Sequence, residues 1–239
     1  MATATQTVRE IALEQPASIR VFEQFGIDYC CGGRIPLDEA CARKNVALGS
    51  VIEALEKASA EPIAQPDKWA SAPLSELATH IVNTHHAYVN RELPRLAQLA
   101  DRVVNRHGDT RPELPLIQAK VAQLAQEMTE HQAKEELILF PHISRLESAI
   151  RGGNPKPQGC FGSVSNPIAM MTREHDSAGA LMAELRKLSQ DFTPPAGACP
   201  TYIGFYAGLR EFEQDLHQHI HLENNILFPR AIALEGDAA

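Results

Sequence analysis

No apolar run in this chain approaches the roughly 18 residues of a membrane span, so no transmembrane anchor is expected. Met1 to Glu14 contain neither a basic start nor an apolar stretch, which speaks against a secretory leader and makes the cytoplasm the default compartment. Basic residues are in the minority, 22 against 30 acidic ones for a formal charge of −8, and no nucleic-acid partner is expected. The five cysteines are odd in number and lack C-x-x-C spacing, which argues against a secreted disulfide framework and against a zinc ribbon. Aromatic residues make up only 5% of the chain, whereas histidines number ten, and the histidines carry most of the information. With 239 residues, 44% of them hydrophobic and 22% charged, the composition is globular. Length allows one or two domains and a full core without disulfide staples.

The chain divides near residues 60 to 72. Ala60 to Asp67 hold two prolines and little apolar periodicity, so 61–71 reads as a linker, with Trp69 just beyond as a packing plug. Residues 1–60 form a small helical module. Thr7 is placed to cap a helix to about Glu14, and Pro16 to open a second one to Phe25, which Gly26 ends. Asp28-Tyr29-Cys30-Cys31-Gly32-Gly33 is a turn by composition, left in the open by the helix end at Gly26. Two further helical stretches follow, at Leu37 to Arg43 and Ala47 to Lys57. A module of this size makes a marginal core, so it is expected to dock on the larger part or on a partner, a homodimer included.

Residues 72–235 are helical throughout, in four long segments at about 72–106, 113–147, 166–191 and 200–235. Prolines 73, 115, 167 and 200 stand near helix starts, where a missing N–H costs little. Pro94, inside the first segment, is expected to kink or split it. Short links between long amphipathic helices give antiparallel neighbours, so the predicted fold is all-α, an up-down four-helix bundle behind a small helical domain.

The apolar stripes of these helices are interrupted by residues that bind metals. The second runs Ile117, Val121, Leu124, Met128, then His131, Glu135 and Ile138. The third runs Ile168, Met171, His175, Ala178, Met182 and Leu185. The fourth runs Tyr202, Phe205, Leu209, Phe212, Leu216, then His219, Glu223 and Ile226. A bare imidazole or carboxylate inside a core costs several kcal/mol unless it is paired or metal-bound. Moreover, His131 to Pro141 recurs as His219 to Pro229, both reading H-x-x-x-E-x-x-I-L-F-P at an offset of 88 residues. An i, i+4 pair shares one helical face, with Cβ atoms about 5–6 Å apart, so imidazole and carboxylate can meet one metal.

Counting further, His175 lies 44 residues before His219, and a step back of 45 from His131 reaches His86. Two helical hairpins then each offer one histidine and one H-x-x-x-E, a set of four imidazoles and two carboxylates suited to redox iron, with manganese or zinc compatible by ligand type. His85 and His86 are barely separated by spacing, with His86 the better fit. The remaining histidines have plainer readings. His80 and His107 fall on helix surfaces, and His217 and His221 on other faces than His219. His142 stands seven residues beyond Glu135, about 10 Å along the axis and too far to share its metals. Glu127 is one turn before His131 and placed to accept its free N–H, or to be a surface carboxylate. Met170, Met171 and Met182 read as core fillers, Cys41 as a small buried residue, and Cys160 and Cys199 as connection residues without a partner in the pattern.

Together these residues resemble a known family. The Asp28 to Gly33 turn, Asp67-Lys68-Trp69, Lys134 to Pro141, Glu174-His175-Asp176 and His219 to Pro229 are similar to the repair-of-iron-centres proteins, the di-iron iron-sulfur cluster repair family with a hemerythrin-like bundle. The resemblance covers nearly the whole chain and departs from the pattern at the glycine-rich connection from Arg151 to Ser163 and at the extra histidines 85, 142, 217 and 221. It implies two iron ions held by His86, His131, Glu135, His175, His219 and Glu223, with both glutamates bridging, and it prefers His86 over His85. It further implies a cytoplasmic, stress-linked protein that restores clusters damaged by nitric oxide or peroxide, with damaged or apo iron-sulfur proteins as partners.

Three functions fit such a site. One is an iron donor for cluster repair. Another is an enzyme reducing nitric oxide, nitrite or peroxide. The weakest is an oxygen carrier or sensor, since hemerythrin carriers use a fifth histidine and an H-x-x-x-x-D ending that this chain lacks. Cys30 and Cys31 are poor partners for one zinc, because adjacent side chains diverge. They are candidates for a thiol relay or sensor instead, or for a purely structural loop.

Overall fold

The computed structural model describes residues 2–60 and 68–236, and no strand occurs among them. The expected linker 61–71 falls largely outside the described residues. What is seen of it is a short 3-10 turn at Lys68–Ala70, with Trp69 half-buried under the Lys68 ammonium, 4.2 Å from its ring.

By packing, the chain forms two units, Met1–Pro73 with His217–Arg230, and Leu74–Leu216 with Ala231–Ala239. The first holds helices α1 (Val8–Glu14), α2 (Ser18–Phe25), α3 (Leu37–Lys44) and α4 (Leu48–Ala60). Thr7 caps α1 as its sequence position suggests: its hydroxyl accepts the Glu10 N–H at 3.2 Å, and the Glu10 carboxylate accepts the Thr7 N–H at 2.8 Å. Gly26 ends α2 at φ +65°, a left-handed position. Phe22, Ile27, Tyr29, Leu37 and Val51 close a small core. Segment 217–230 joins this unit through hydrogen bonds: the Asn225 amide donates to the Tyr29 carbonyl at 3.1 Å, and Arg9 donates to the Asn225 carbonyl at 3.4 Å.

The second unit is built from α5 (Leu74–Ile81), α6 (Ala87–His107), α7 (Glu113–Lys134), α8 (Phe140–Arg151), α9 (Ser165–Leu188), most of α10 (Pro200–His221) and much of α11 (Phe228–Gly236). In it α6 packs along α7, α7 along α9 and α5 along α8. Helix α10 stacks Tyr88 of α6 on Phe212, and its Glu213 takes an ion pair from Arg186 of α9. The predicted stripes of α7, α9 and α10 are buried. Pro94 does not split its helix; α6 runs through it, with Leu93 and Leu96 buried on either side.

The interruptions lie elsewhere, and none was legible as such. Three of the four long helical runs contain a π-helical turn, Val82–His86, Glu135–Leu139 and Leu222–Leu227. Here the ladder widens to i+5: the Glu135 carbonyl accepts from Phe140, and the Glu223 carbonyl from Phe228. Proline follows at the next residue in both repeats, where the changing ladder least needs its absent N–H. The wide turn also shifts the helical phase. Ile138, expected on the buried stripe, is therefore 47% exposed, and Leu139 turns inward.

The 88-residue offset extends beyond the motif. Glu147 accepts the Leu74 and Ser75 N–H groups at 2.7 and 3.1 Å, capping α5. Its counterpart Glu235 accepts the Val164 N–H at 3.0 Å and the Ser163 hydroxyl at 2.5 Å, capping α9. Each hairpin thus closes on itself, a carboxylate in its last helix satisfying the open N–H groups of its first.

Candidate metal centre

The three π turns coincide with candidate ligands. His86 ends the first, Glu135 opens the second and Glu223 is the second residue of the third. A wide turn lets a helix aim neighbouring side chains inward that a regular helix would splay, and such turns gather at functional sites. His86, His131, Glu135, His175, His219 and Glu223 are all buried, none more than 3% exposed.

Around Glu135 the geometry is that of converging acceptors. Its Oε2 lies 3.2 Å from His131 Nε2 and 3.4 Å from His86 Nε2, and His131 Nε2 lies 3.0 Å from His175 Nε2. The opposite edges of two rings are held by carboxylates: His86 Nδ1 donates to Glu136 at 2.8 Å and His131 Nδ1 to Glu174 at 3.0 Å. A neutral ring that donates through Nδ1 presents a lone pair at Nε2. The Nε2 edges of both rings therefore face one carboxylate oxygen, and in neutral rings they would offer lone pairs that a cation can share. In the fourth helix His219 Nε2 lies 3.0 Å from Glu223 Oε1. Ligand atoms of His131, Glu135 and His175 lie within 4.8 Å of one another, as do those of His86 and Glu135 in the same unit and those of His219 and Glu223 in the other. The imidazole and carboxylate donors suit iron, manganese or zinc alike.

His85 takes no part in these groups; its Nδ1 pairs with Asp215 at 3.0 Å. Of the two readings of Glu127, acceptor for His131 or surface carboxylate, the structure favours the second: it takes hydrogen bonds from Gln123 and Ser177 at 2.9 and 3.1 Å. The acceptor is Glu174, which Lys134 also reaches at 2.5 Å. Burial would raise the Glu174 pKa, yet the hydrogen bonds from Lys134 and His131 outweigh it and hold the carboxyl below its ordinary value. The signal for Glu174 was present in sequence, as the residue preceding His175, and that for Glu136 as the residue following Glu135. A cavity of about 270 Å³ between α7 and α9 reaches His131 and His175, with Glu127, Glu130, Lys134 and Arg173 on its walls.

The Asp28 to Gly33 turn is tightly built. One Asp28 oxygen accepts the Cys30 and Cys31 N–H groups at 2.9 and 3.0 Å, and the other that of Gly32 at 2.9 Å. A Cβ on Gly33 would stand 2.6 Å from the Tyr29 carbonyl, so only glycine fits. Contrary to the expectation of an open loop, Cys30 is buried, and its hydrogen bond with Cys31 and its burial push the thiol well above its ordinary pKa. Cys31 is half-buried. His221, expected on another face than His219, is buried too; it accepts from Asn225 at 2.8 Å and packs edge-on against the Tyr29 ring.

Comparison with known proteins points one way. A family model described as Hemerythrin HHE cation binding domain matches residues 77–231, and one described as a domain of unknown function (DUF542) matches residues 4–59. The chain is 36% identical over 234 residues to a "Probable iron-sulfur cluster repair protein" of Haemophilus influenzae, covering 97% of this chain and 99% of that one. It is 36% identical over 228 residues to the "Iron-sulfur cluster repair protein YtfE" of Yersinia pseudotuberculosis, covering 95% and 96%. To the protein of the same name in Escherichia coli O157:H7 it is 38% identical over 236 residues, covering 98% and 100%.

Proposed function

The chain belongs to the hemerythrin HHE cation-binding family and, within it, to the iron-sulfur cluster repair proteins, and from that premise we propose that it carries two irons and donates iron to damaged clusters. In this reading His86, His131, Glu135, His175, His219 and Glu223 are the ligands, and Glu135 and Glu223 bridge. The observation that carries it is the convergence of two buried imidazole edges, His86 Nε2 and His131 Nε2, on one oxygen of Glu135 at 3.4 and 3.2 Å. Bound there, iron would supply a redox-active Lewis acid with room for small ligands. The chain's own residues do the positioning. Glu136 and Glu174 fix ring orientation and tautomer, and Lys134 keeps Glu174 in place.

The recipients are damaged or apo iron-sulfur proteins, met in the cytoplasm under nitrosative or oxidative stress. No helix among the described residues is long and apolar enough to cross a membrane. The domain organisation that goes with this function is a helical module at 1–60, a linker at 61–71 and the ligand-bearing bundle at 72–235. Half-buried Cys31, rather than buried Cys30, is the thiol through which the N-terminal turn would relay iron or sense oxidants. Cys31→Ser should then lower repair activity more than Cys30→Ser, with iron content equal in both; equal activities would leave the turn a structural role only.

Elemental analysis with a visible absorption spectrum tests the centre. About two irons per chain are expected. A content near one, or zinc even in iron-replete preparations, overturns it. The cavity reaching His131 and His175 supports a second reading, turnover of nitric oxide, nitrite or peroxide at the same site. Iron transfer to an apo-cluster protein, set beside anaerobic turnover of nitric oxide, separates the two.

A further inference from the structure

At the opposite end of α6 from His86 stands a second pair of reactive groups. Cys199 and His107 belong to connections and helix surface by sequence pattern, 92 positions apart, and the fold brings Cys199 Sγ to 3.3 Å from His107 Nε2. Both residues are half-buried. Cys199 immediately precedes the 22-residue α10, and its carbonyl accepts the Ile203 N–H at 3.1 Å. His107 is the last residue of the 21-residue α6. Thiol and imidazole therefore meet where the start of α10 lies beside the end of α6. The His107 ring is further held against Tyr202, with centroids 5.6 Å apart. Twenty-one residues of helix separate His107 from His86, and twenty separate Cys199 from His219. At 1.5 Å per residue each distance is about 30 Å, too far for this thiol to serve the metal centre directly.

We propose that Cys199 and His107 form a base-assisted thiol that is oxidised by hydroperoxides. In the reaction, His107 Nε2 takes the thiol proton and the Cys199 sulfur attacks the terminal oxygen of R–O–O–H. An S–O bond forms as the O–O bond breaks, and the imidazolium returns its proton to the departing alkoxide. The products are a sulfenic acid and an alcohol. Sulfur loses two electrons and the peroxide gains them, and a small thiol can later reverse the change. This inference stands apart from the metal assignment, since neither residue belongs to either ligand group.

Cys160 supplies the internal control, being exposed and without a hydrogen-bonded base among the described residues. On exposure alone it should react first. In the full-length protein, a brief pulse of iodoacetamide followed by peptide mapping should instead label Cys199 faster than Cys160, by about 10-fold. His107→Gln should remove that lead and leave the Cys160 rate unchanged. With cumene hydroperoxide and dimedone present, the sulfenic adduct should map to Cys199 and fall by about 10-fold in His107→Gln, with iron content and melting temperature as in the parent. Cys160 reacting as fast as Cys199 in the parent protein, or an undiminished adduct in His107→Gln, overturns the proposal. The first comparison needs no variant, so it holds even where His107→Gln is poorly folded.

Discussion

The two copies of H-x-x-x-E-x-x-I-L-F-P share a backbone and differ in their covering. Both run from histidine to glutamate, open into a π turn in which the glutamate carbonyl accepts from the phenylalanine, and resume as a helix with proline second. In the first copy Leu137 is 77% exposed; in the second its counterpart Asn225 is 6% exposed and bonded to the Tyr29 carbonyl and to His221. The shared part is what presents the proposed metal ligands. The differing part is what holds, in one copy only, the turn that carries Cys30 and Cys31.

The sharpest test of the shared part replaces its glutamates. Glu135→Leu and Glu223→Leu should each strip most of the iron while the helices persist, since leucine continues an apolar stripe. The iron-free variants should melt at or above iron-free parent, because a buried carboxylate without its cation is a liability. Metal content and circular dichroism decide; iron retained by one variant but not the other would show that only one glutamate bridges.

A smaller effect sharpens the difference between copies. Asn225→Leu makes the second copy like the first and leaves the buried Tyr29 carbonyl without its donor, for a loss of about 1–3 kcal/mol in denaturant unfolding. The converse, Leu137→Asn on the exposed copy, should change stability by less than about 0.5 kcal/mol. Equal effects would mean that the covering of the second copy is incidental.

Smaller still are the matched caps. Glu147→Gln and Glu235→Gln should each cost about 1 kcal/mol. Burial would raise the Glu147 pKa, but hydrogen bonds from Ser75 and Leu74 outweigh it, and the folded value lies below the ordinary one. Its contribution is therefore complete above pH 4.5 and is lost as pH falls through the lowered folded value. In the parent, stability should drop over that acid range, and Glu147→Gln should flatten the drop. An unchanged profile would remove Glu147 from the pH response.

Much of this was legible in sequence because it obeys a period. The stripes of α7, α9 and α10 recur at helical spacing, and a histidine or glutamate on such a stripe stands out against its aliphatic neighbours. The π turns were not legible, since one extra residue per turn leaves only the glutamate and the following proline as traces, and Ile138 was misplaced for that reason. Glu136 and Glu174 were passed over because residues adjacent to ligands read as surface charge. Cys199 and His107 meet only through the fold. Burial of Cys30 follows from three N–H groups converging on Asp28, which composition announces only as a turn.

The paired caps Glu147 and Glu235 bear on the extent of the repeat. Each hairpin contains one candidate ligand histidine in its first part, one H-x-x-x-E and the carboxylate that closes its own first helix, so neither borrows its cap from the other. Each hairpin therefore carries, in sequence, three of the six ligands proposed here and the cap of its own first helix. The 88-residue offset is thus a repeat of the whole hairpin, cap included, and not of the ligand motif alone. Within it the copies still differ, one with an exposed Leu137 and the other with a buried Asn225.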